Sequence, residues 1–503
     1  MRFSAHGYSA VFVMLLVCFG FNVSKVQAFQ MDRINGDNRY ETAVKISQHD
    51  WSNGADAVVL TRGDEFPDAL AGAPFAYSKN GPLLLTDKDH LTPITKREIS
   101  RLHPSKIYIV GGPGAVSKSI QSELNSSYDA TVKRIAGSNR YVTAARIADH
   151  MSSDRAFVVN GSRFPDAMTA APYAARHGSP ILLTKENHLP LTTRGALKAI
   201  QSTFIVGGSG VVSHSIVTQL PNPTRFSGDT RFKTSADVAE RLPMGDPDHA
   251  FVVTGSEFAD GIAGAVSAAK SNDQILLVEE NYVPNAIKIA IHRRGLKSFT
   301  VFGGYNAVDQ YVDTELSLPI QLLLVNKHRG IPSDYKADHL VKPNVRFPFS
   351  ADIPKRYMSS MAAGHLEEMF DDAWDQGVEL YAVSGYRSYN RQKEIHERIT
   401  RNQGAAYADR VSAEPGHSEH QTGLAMDVSS PAVNYQLVES FANTEEGRWV
   451  KYHASDYGFI IRYPEGREDD TGYKYEPWHL RYVGKTIAQY MDRTHKILEG
   501  YLR

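Results

Sequence analysis

The feature of this 503-residue sequence that most constrains its fold is a threefold internal repeat with a period of about 95 residues. Each copy opens with Arg-x-x-Gly-x-x-Arg and an aromatic residue, at Arg33, Arg134 and Arg225. A Phe-x-Asp element follows about 30 residues later, and an apolar segment then leads into a diglycine. Three landmarks that recur three times in one order indicate three domains of the same kind.

Short apolar segments alternate with helical patterns inside each copy. In the first copy the predicted strands are 57–60, 82–85 and 107–110, and the predicted helices are 68–78, 92–102 and 117–125. Apolar strands between helices are typical of a parallel sheet that is covered on both faces. The predicted fold is multidomain. It has three α/β repeat domains, each a small parallel sheet flanked by helices and a layer of its own, and a C-terminal α+β domain.

The residues that recur in the repeats indicate recognition rather than catalysis. The diglycine turns lack the Lys-Ser/Thr of a phosphate-binding loop, and no copy has histidines and carboxylates at metal-ligand spacing. The paired arginines allow two interpretations: salt bridges to the recurring aspartate of the same domain, or charge-assisted hydrogen bonds to an anionic polymer. The candidate polymer-binding residues are Arg33, Arg39, Arg134, Arg140, Arg225 and Arg231.

These motifs resemble the type-2 cell-wall-binding repeats of Gram-positive surface proteins. The arginine-rich opening, the Phe-Pro-Asp-Ala element and the Val-Gly-Gly turn carry the resemblance, which covers about residues 33–320. The resemblance implies non-covalent attachment to an anionic cell-wall polymer. The third copy departs most from the pattern, with Phe232, Ala259 and Tyr305 at three of the motif positions.

Charge and cysteine content exclude several classes of function. Lys and Arg number 55 against 56 Asp and Glu, so the net charge of −1 provides no global basic field and no nucleic-acid partner is expected. The single cysteine excludes an internal disulfide framework and any cysteine-rich zinc module. A metal in this chain would have to be held by histidines and carboxylates.

The first 28 residues have the pattern of a signal peptide for export. Arg2 precedes the apolar segment Ala10–Phe21, and Val26-Gln27-Ala28 ends in a small residue suited to cleavage. The apolar segment is shorter than the roughly 20 residues that span a bilayer as a helix. We expect a secreted protein with no transmembrane segment in the mature chain; the alternative is an uncleaved N-terminal anchor.

The repeat pattern stops near residue 320 and a different domain follows. The expected divisions are a signal peptide at 1–28, repeats at 29–130, 131–222 and 223–320, and a last domain at 321–503. In the last domain the pattern predicts a strand at 321–325, a helix at 351–375, a strand at 380–383 and a helix from about 389.

The last domain contains a candidate metal site. Two imidazoles and one carboxylate, those of His420, Asp427 and His479, suffice for a catalytic zinc whose fourth position is left to water. Glu476 can lie beside such a metal without binding it, because Pro477 keeps this segment extended rather than helical. The alternative is that both histidines are satisfied polar residues and that the aspartate caps a turn. The chain has no His-Glu-x-x-His helix, the commonest zinc-protease signature.

The same region resembles the VanY-type D-alanyl-D-alanine carboxypeptidases from about residue 322 to the C-terminus. The shared pattern is Ser-x-His-x-x-Gly-x-Ala-x-Asp from residue 418, Glu-x-x-His from residue 476, and Ser-Gly-Tyr-Arg-Ser from residue 384. The resemblance implies Zn²⁺ as cofactor. The roles that it implies are zinc binding by His420, Asp427 and His479, catalysis by Glu476 and Arg387, and substrate binding by Ser418, Gln392 and Tyr386.

Together the two resemblances imply an enzyme of the bacterial cell wall. We expect a secreted zinc carboxypeptidase that attaches non-covalently to the wall and trims the terminal D-alanine of peptidoglycan stem peptides. The alternatives are L,D-carboxypeptidase or endopeptidase activity on the same polymer, and a wall adhesin whose last domain has no catalytic activity.

Overall fold

The computed structural model of the chain describes residues 30–502, apart from residues 67, 243, 246 and 247. The predicted signal peptide at 1–28 lies outside these residues. Within the described part, every helix is too short or too polar to cross a membrane.

Each repeat consists of four short strands and four helices in alternation. The first repeat contains β1 (Gln30–Ile34), α1 (Arg39–Asp50), β2 (Ala57–Arg62), α2 (Gly72–Ser78), β3 (Leu83–Thr86), α3 (Pro93–Leu102), β4 (Lys106–Val110) and α4 (Lys118–Ser127). The second contains β5 (Thr131–Ile135), α5 (Arg140–Ala148), β6 (Arg155–Asn160), α6 (Pro165–Arg176), β7 (Ile181–Thr184), α7 (Leu191–Ala196), β8 (Ser202–Val206) and α8 (His214–Val217). The third contains β9 (Pro223–Phe226), α9 (Arg231–Arg241), β10 (His249–Thr254), α10 (Ala259–Ser271), β11 (Ile275–Val278), α11 (Asn285–Arg294), β12 (Ser298–Phe302) and α12 (Gln310–Leu316).

The three sheets are parallel, as predicted, but each one includes a strand from a neighbouring repeat. The strand orders are β3-β2-β4-β5, β7-β6-β8-β9 and β11-β10-β12-β1. The prediction that each copy forms a layer of its own is therefore wrong. The first strand of each repeat covers the open edge of another sheet, which would otherwise expose unpaired backbone groups. Because β1 pairs with β12, the three repeats form a closed ring.

The first arginine of each repeat holds this shared strand in place. The Arg33 guanidinium donates to the carbonyl oxygens of Gly303 at 2.8 Å and Val308 at 3.0 Å, and to Asp313 at 2.7 Å. Arg134 and Arg225 make the equivalent bonds to the diglycine turns of the first and second repeats. The repeated arginine therefore contributes to the closure of the ring.

The centre of the ring is built from the same element of each repeat. Helices α2, α6 and α10 contact one another, and the rings of Phe66, Phe164 and Phe258 lie 5.5, 5.9 and 6.1 Å apart. Three equivalent aromatic side chains in mutual contact give the repeats a pseudo-threefold arrangement.

The C-terminal domain is an α+β domain around an antiparallel sheet of order β15-β16-β18-β17. Its elements are β13 (Leu340–Val341), β14 (Met358–Ser359), α13 (Ser360–Asp375), β15 (Tyr381–Ser384), α14 (Tyr389–Gln403), α15 (Ala405–Val411), β16 (Ala425–Ser429), α16 (Glu445–His453), β17 (Phe459–Tyr463), α17 (Glu468–Thr471), β18 (Glu476–Tyr482), α18 (Lys485–Thr494) and α19 (Leu498–Tyr501). The predicted strand at 380–383 and the helix from 389 are confirmed. The predicted helix at 351–375 is too long at its start, since α13 begins at Ser360.

The predicted strand at 321–325 is wrong. The segment is a 3₁₀ turn, Ile320–Leu322, followed by extended chain without a partner strand. Its apolar side chains are buried on two sides, with Leu324 packed against the C-terminal helices and Leu323 against Ile289 of the third repeat. The Arg481 side chain donates to the carbonyl oxygens of Gln321 and Leu323, so a side chain takes the place of a neighbouring strand.

The third repeat is joined to the C-terminal domain by a buried asparagine. Asn285, the first residue of α11, donates through Nδ2 to the carbonyl oxygens of Leu324 at 2.8 Å and Gly330 at 3.1 Å. The neighbouring Ile331 donates its backbone N–H to Gly416 at 2.8 Å, just before the predicted metal site. The segment 320–331, the linker, is therefore bonded both to the third repeat and to Gly416, four residues before His420.

Replacement of Asn285 by Ala should destabilise the junction by about 1 to 3 kcal/mol, because buried carbonyl groups lose their donor. The matched control is Leu191→Ala, at the equivalent first position of α7, where the side chain is 77% exposed and the cost should stay within about 0.5 kcal/mol. Denaturant unfolding followed by tryptophan fluorescence compares the two variants. Equal free energies of unfolding would mean that the hydrogen bonds of Asn285 do not stabilise the junction.

Candidate functional site

Two of the predicted metal ligands lie side by side on neighbouring strands. Asp427 on β16 and His479 on β18 are register partners in the antiparallel pair. Directly opposed residues of such a pair have their side chains on the same face of the sheet, at short distance. The Nδ1 nitrogen of His479 lies 3.1 Å from Oδ1 of Asp427.

The third predicted ligand reaches the same point from the turn before β16. His420 lies in the 3₁₀ turn Glu419–Thr422, which ends at Gly423 with φ of 73°, a left-handed conformation that favours glycine. The Nδ1 nitrogen of His420 lies 2.8 Å from the carbonyl oxygen of Gly385, which can only accept a hydrogen bond. Its proton is therefore on Nδ1, and Nε2 presents a lone pair 3.2 Å from Oδ2 of Asp427.

These three side chains form a group that can hold a metal ion. The possible ligand atoms of His420, Asp427 and His479 all lie within 4.8 Å of one another, and the three residues are at most 5% exposed. Oδ1 of Asp427 is buried and forms no hydrogen bond within the described structure, because its 3.1 Å contact with Nδ1 of His479 is not aligned for one. A buried carboxylate oxygen in this state is available to a cation. Two imidazole nitrogens and a carboxylate oxygen are the donor set that zinc accepts in catalytic sites.

Glu476 lies beside this group at the start of β18, where Pro477 keeps the chain extended as predicted. Its Oε2 is 3.6 Å from Nδ1 of His479. Burial, together with the charge of Asp427, raises the pKa of Glu476 to about 7, against the opposing charges of His479 and Arg387. A carboxyl group with a pKa near neutrality can both accept and return a proton at physiological pH.

The predicted substrate-binding residues lie around Arg387. The Arg387 guanidinium is held by Oε1 of Gln392 at 2.9 Å and by Oγ of Ser384 at 3.3 Å. Burial lowers the pKa of Arg387, and the charges of Asp427 and Glu476 nearby oppose this shift. Gln392 is completely buried and its amide nitrogen donates to Ala413 at 2.6 Å, so it lies behind the arginine rather than in a cleft.

The remaining two predicted substrate residues flank the site. The side chain of Ser418 is buried next to the 3₁₀ turn. Tyr386 donates its backbone N–H to the carbonyl oxygen of Tyr357, and its ring packs against the apolar cluster that joins the linker to the third repeat.

Comparison with known protein families decides the identity of both parts of the chain. Residues 355–485 match the family described as D-alanyl-D-alanine carboxypeptidase, VanY. Residues 33–121, 134–217 and 225–313, about half of the chain, match cell wall binding domain 2. The chain belongs to the VanY family and carries three cell-wall-binding domains of type 2. The expected family membership and fold class are thus confirmed.

Several known proteins resemble the two parts. The amidase LytC of Bacillus subtilis (N-acetylmuramoyl-L-alanine amidase) is 38% identical over 57% of this chain and 58% of its own length. The bifunctional D-Ala-D-Ala dipeptidase and carboxypeptidase VanXYC of Enterococcus gallinarum is 31% identical over 36% of this chain and 92% of its own. The chain spans between 40% and 66% of the first three curated relatives.

Two solved structures are also similar. Cwp8 from Clostridium difficile is 29% identical and covers 57% of this chain and 51% of its own, with a TM-score of 0.53. The LdcB LD-carboxypeptidase is 50% identical over 35% of this chain and 83% of its own, with a TM-score of 0.35.

Three charged residues of the VanY domain were not singled out as site residues by the sequence. Glu419, Arg462 and Arg481 are completely or almost completely buried. Glu419 lies next to His479, and both arginines donate to Glu419. The sequence carries a weak signal for two of them, because the arginines interrupt the apolar strands β17 and β18. A charge in such a strand is buried only when a counter-charge is close, but the sequence does not show which carboxylate supplies it.

The arginines of the cell-wall-binding domains mostly bond to backbone carbonyl oxygens. The second arginine of each pair donates within its own repeat: Arg39 to Gly63, Arg140 to Gly161 and Arg231 to Gly255. The recurring aspartate faces the second arginine of another repeat rather than its own. Burial raises the pKa of Asp166 and of Asp260 to about 6 each. The charges of Arg163 and Arg231 oppose the rise at Asp166, and the charge of Arg39 opposes it at Asp260.

The raised pKa of Glu476 can be measured directly. In the metal-free protein its carboxyl group should titrate at about 7 instead of 4.5, and added zinc should lower this value because a cation favours the carboxylate. NMR of ¹³C-carboxyl-labelled glutamate, assigned by the signal missing in Glu476→Gln, gives both values. Titration at the ordinary value in the metal-free protein would contradict the described burial.

Proposed function

We propose that this chain is a secreted, wall-attached zinc carboxypeptidase that removes the terminal D-alanine from the stem peptides of peptidoglycan. The observation that carries the proposal is the convergence of His420, Asp427 and His479 on one point, with Glu476 and Arg387 beside them. In this assignment the first three residues hold Zn²⁺. The expected site thus consists of five residues brought together from four separate segments of the chain.

Each residue of the site has a chemical role in this reaction. A bound Zn²⁺ would act as a Lewis acid on the scissile carbonyl and would lower the pKa of a water molecule to about 7. Glu476 accepts the proton of the attacking water and returns it to the amine of the departing residue, which its pKa near neutrality permits. Asp427, the other acidic residue of the predicted site, is not assigned this proton transfer because its carboxylate lies between two imidazoles.

Arg387 holds the substrate carbonyl or the carboxylate of the terminal residue. Its planar guanidinium can donate two parallel hydrogen bonds to such a group. Gln392 and Ser384 fix its orientation, so little conformational entropy is lost when the substrate binds. We assign the buried Ser418 and the half-buried Tyr386 to the walls of the substrate pocket.

The cell-wall-binding domains hold the enzyme on its substrate. We propose that they bind an anionic wall polymer and that the second arginine of each pair provides the contact. The side chain of Arg39 is 35% exposed, whereas that of Arg33 is 11% exposed and is used to close the ring. Attachment to the wall keeps the catalytic domain near the stem peptides and so raises its effective concentration at the substrate.

The reaction is tested with the full chain and synthetic stem peptides. We expect one D-alanine to be released from a pentapeptide that ends in D-Ala-D-Ala, with loss of activity on chelation and recovery with zinc. Mass spectra of pentapeptide, tetrapeptide and intact sacculi separate the alternatives. Release from the tetrapeptide alone would indicate L,D-carboxypeptidase activity, and release of cross-linked fragments would indicate an endopeptidase.

The Glu476→Gln variant should lower kcat by about 10² to 10⁴-fold, the usual contribution of a general acid–base group. Glu465→Gln, at an exposed glutamate of the same domain, is the matched control and should keep wild-type activity. Both variants should still sediment with sacculi, because the repeats are unchanged. If Glu476→Gln retains full activity, another group performs the proton transfer. A wild-type chain that binds sacculi but cleaves none of the peptides would be an adhesin.

A further inference from the structure

The turn that carries His420 also contains a buried carboxylate, Glu419, that the proposed mechanism does not use. Oε1 of Glu419 accepts from Nε of Arg462 at 2.7 Å and from Nη1 of Arg481 at 2.6 Å. Arg462 in turn donates to both carboxylate oxygens of Glu499, at 2.6 and 2.9 Å. The arginines therefore fix the position of one oxygen of Glu419 completely.

The other oxygen of Glu419 points at a predicted zinc ligand. Oε2 lies 3.6 Å from Nε2 of His479, on the side of the ring opposite to Asp427. Within the described part of the chain, both atoms are buried and neither has a hydrogen-bond partner. The carboxylate oxygen can accept a hydrogen bond from the imidazole nitrogen, and the distance between them is slightly longer than a hydrogen bond.

The chemistry of an imidazole makes this contact directional. A histidine that offers the Nδ1 lone pair to a cation carries its proton on Nε2, and this buried N–H needs an acceptor. Oε2 of Glu419 can only accept, and it is held in place through Oε1. We propose that Glu419 is a positioning residue that accepts a hydrogen bond from the Nε2–H of His479 and so keeps Nδ1 turned toward His420 and Asp427. The proposal rests on the zinc-binding role assigned to His479 above.

The alternative role of Glu419 is to neutralise the two arginines and nothing more. The chain offers a control that separates the two roles. Glu499 is also buried and also pairs with Arg462, but its contacts in the structure are to Arg462 and Asn326 rather than to His479. Loss of the charge at Glu419 or at Glu499 disturbs the same group of buried charged residues. Only a change at Glu419 alters the hydrogen-bond acceptor next to Nε2 of His479.

The Glu419→Gln variant reverses the hydrogen bond behind His479. The two guanidinium groups can only donate, so they attract the amide oxygen and turn the amide NH₂ toward Nε2. Two donors then face each other whenever His479 binds a metal through Nδ1. We expect zinc affinity to fall by about 10 to 100-fold, the usual effect of losing such an outer partner.

The test measures zinc dissociation constants of the full chain by competition with a chromophoric chelator, with thermal unfolding of the same samples. Glu419→Gln should bind zinc about 10 to 100-fold more weakly than Glu499→Gln. Equal zinc affinities in the two variants would overturn the positioning role. A wild-type chain that binds no zinc would instead overturn the proposed function.

A second variant and a wild-type measurement cover the case in which Glu419→Gln does not fold. The double variant Glu419→Gln with Arg481→Met removes one buried positive charge together with the negative one and leaves the Arg462–Glu499 pair intact. It should show the same loss of zinc affinity. In the zinc-loaded wild type, ¹⁵N-edited NMR should detect the Nε2 proton of His479 as a slowly exchanging signal, assigned by its loss in His479→Gln. Rapid exchange of this proton with water would contradict the hydrogen bond to Glu419.

Discussion

The burial of a carboxylate between two guanidinium groups is the constraint on which the C-terminal domain depends. Glu419, Arg462 and Arg481 belong to a turn and two different strands, and all three are removed from water. A single charge left unpaired in such a place costs about 3 to 5 kcal/mol, so the three segments are stable only when they come together. Because His420 follows Glu419 directly and His479 lies two residues before Arg481, the same pairing brings the predicted zinc ligands together.

The constraint extends from the C-terminal domain into the cell-wall-binding domains. Arg481 also binds the carbonyl oxygens of the linker at Gln321 and Leu323, and Asn285 of the third repeat binds the linker from the other side. The linker is therefore part of the packed structure rather than a flexible tether. The closed ring of repeats and the VanY domain are thus joined by buried hydrogen bonds on both sides of the linker.

Part of the architecture could be predicted because the signals were local. The parallel sheets and most helices of the repeats follow from hydrophobic patterning, and Pro477 alone indicates that the segment of Glu476 is extended. The prediction of a strand at 321–325 was wrong because the apolar side chains of this segment pack against two domains. Its carbonyl groups accept hydrogen bonds from the side chain of Arg481 instead of from a neighbouring strand. The exchange of the first strand between repeats was missed because pairing across 268 residues, as between Gln30 and Ser298, leaves no local pattern.

Three repeats followed by a domain of another kind, and the residue types of the site, can be read from the linear chain, because repeats and ligand spacing are properties of that chain. Three features become visible only in the folded molecule: the ring closed by β1, the burial that raises the pKa of Glu476 to about 7, and the carboxylate next to His479. These features depend on distances between segments that are remote in the chain. The physical reason is that desolvation and charge pairing act through space, and only the packed fold sets which groups lose water together.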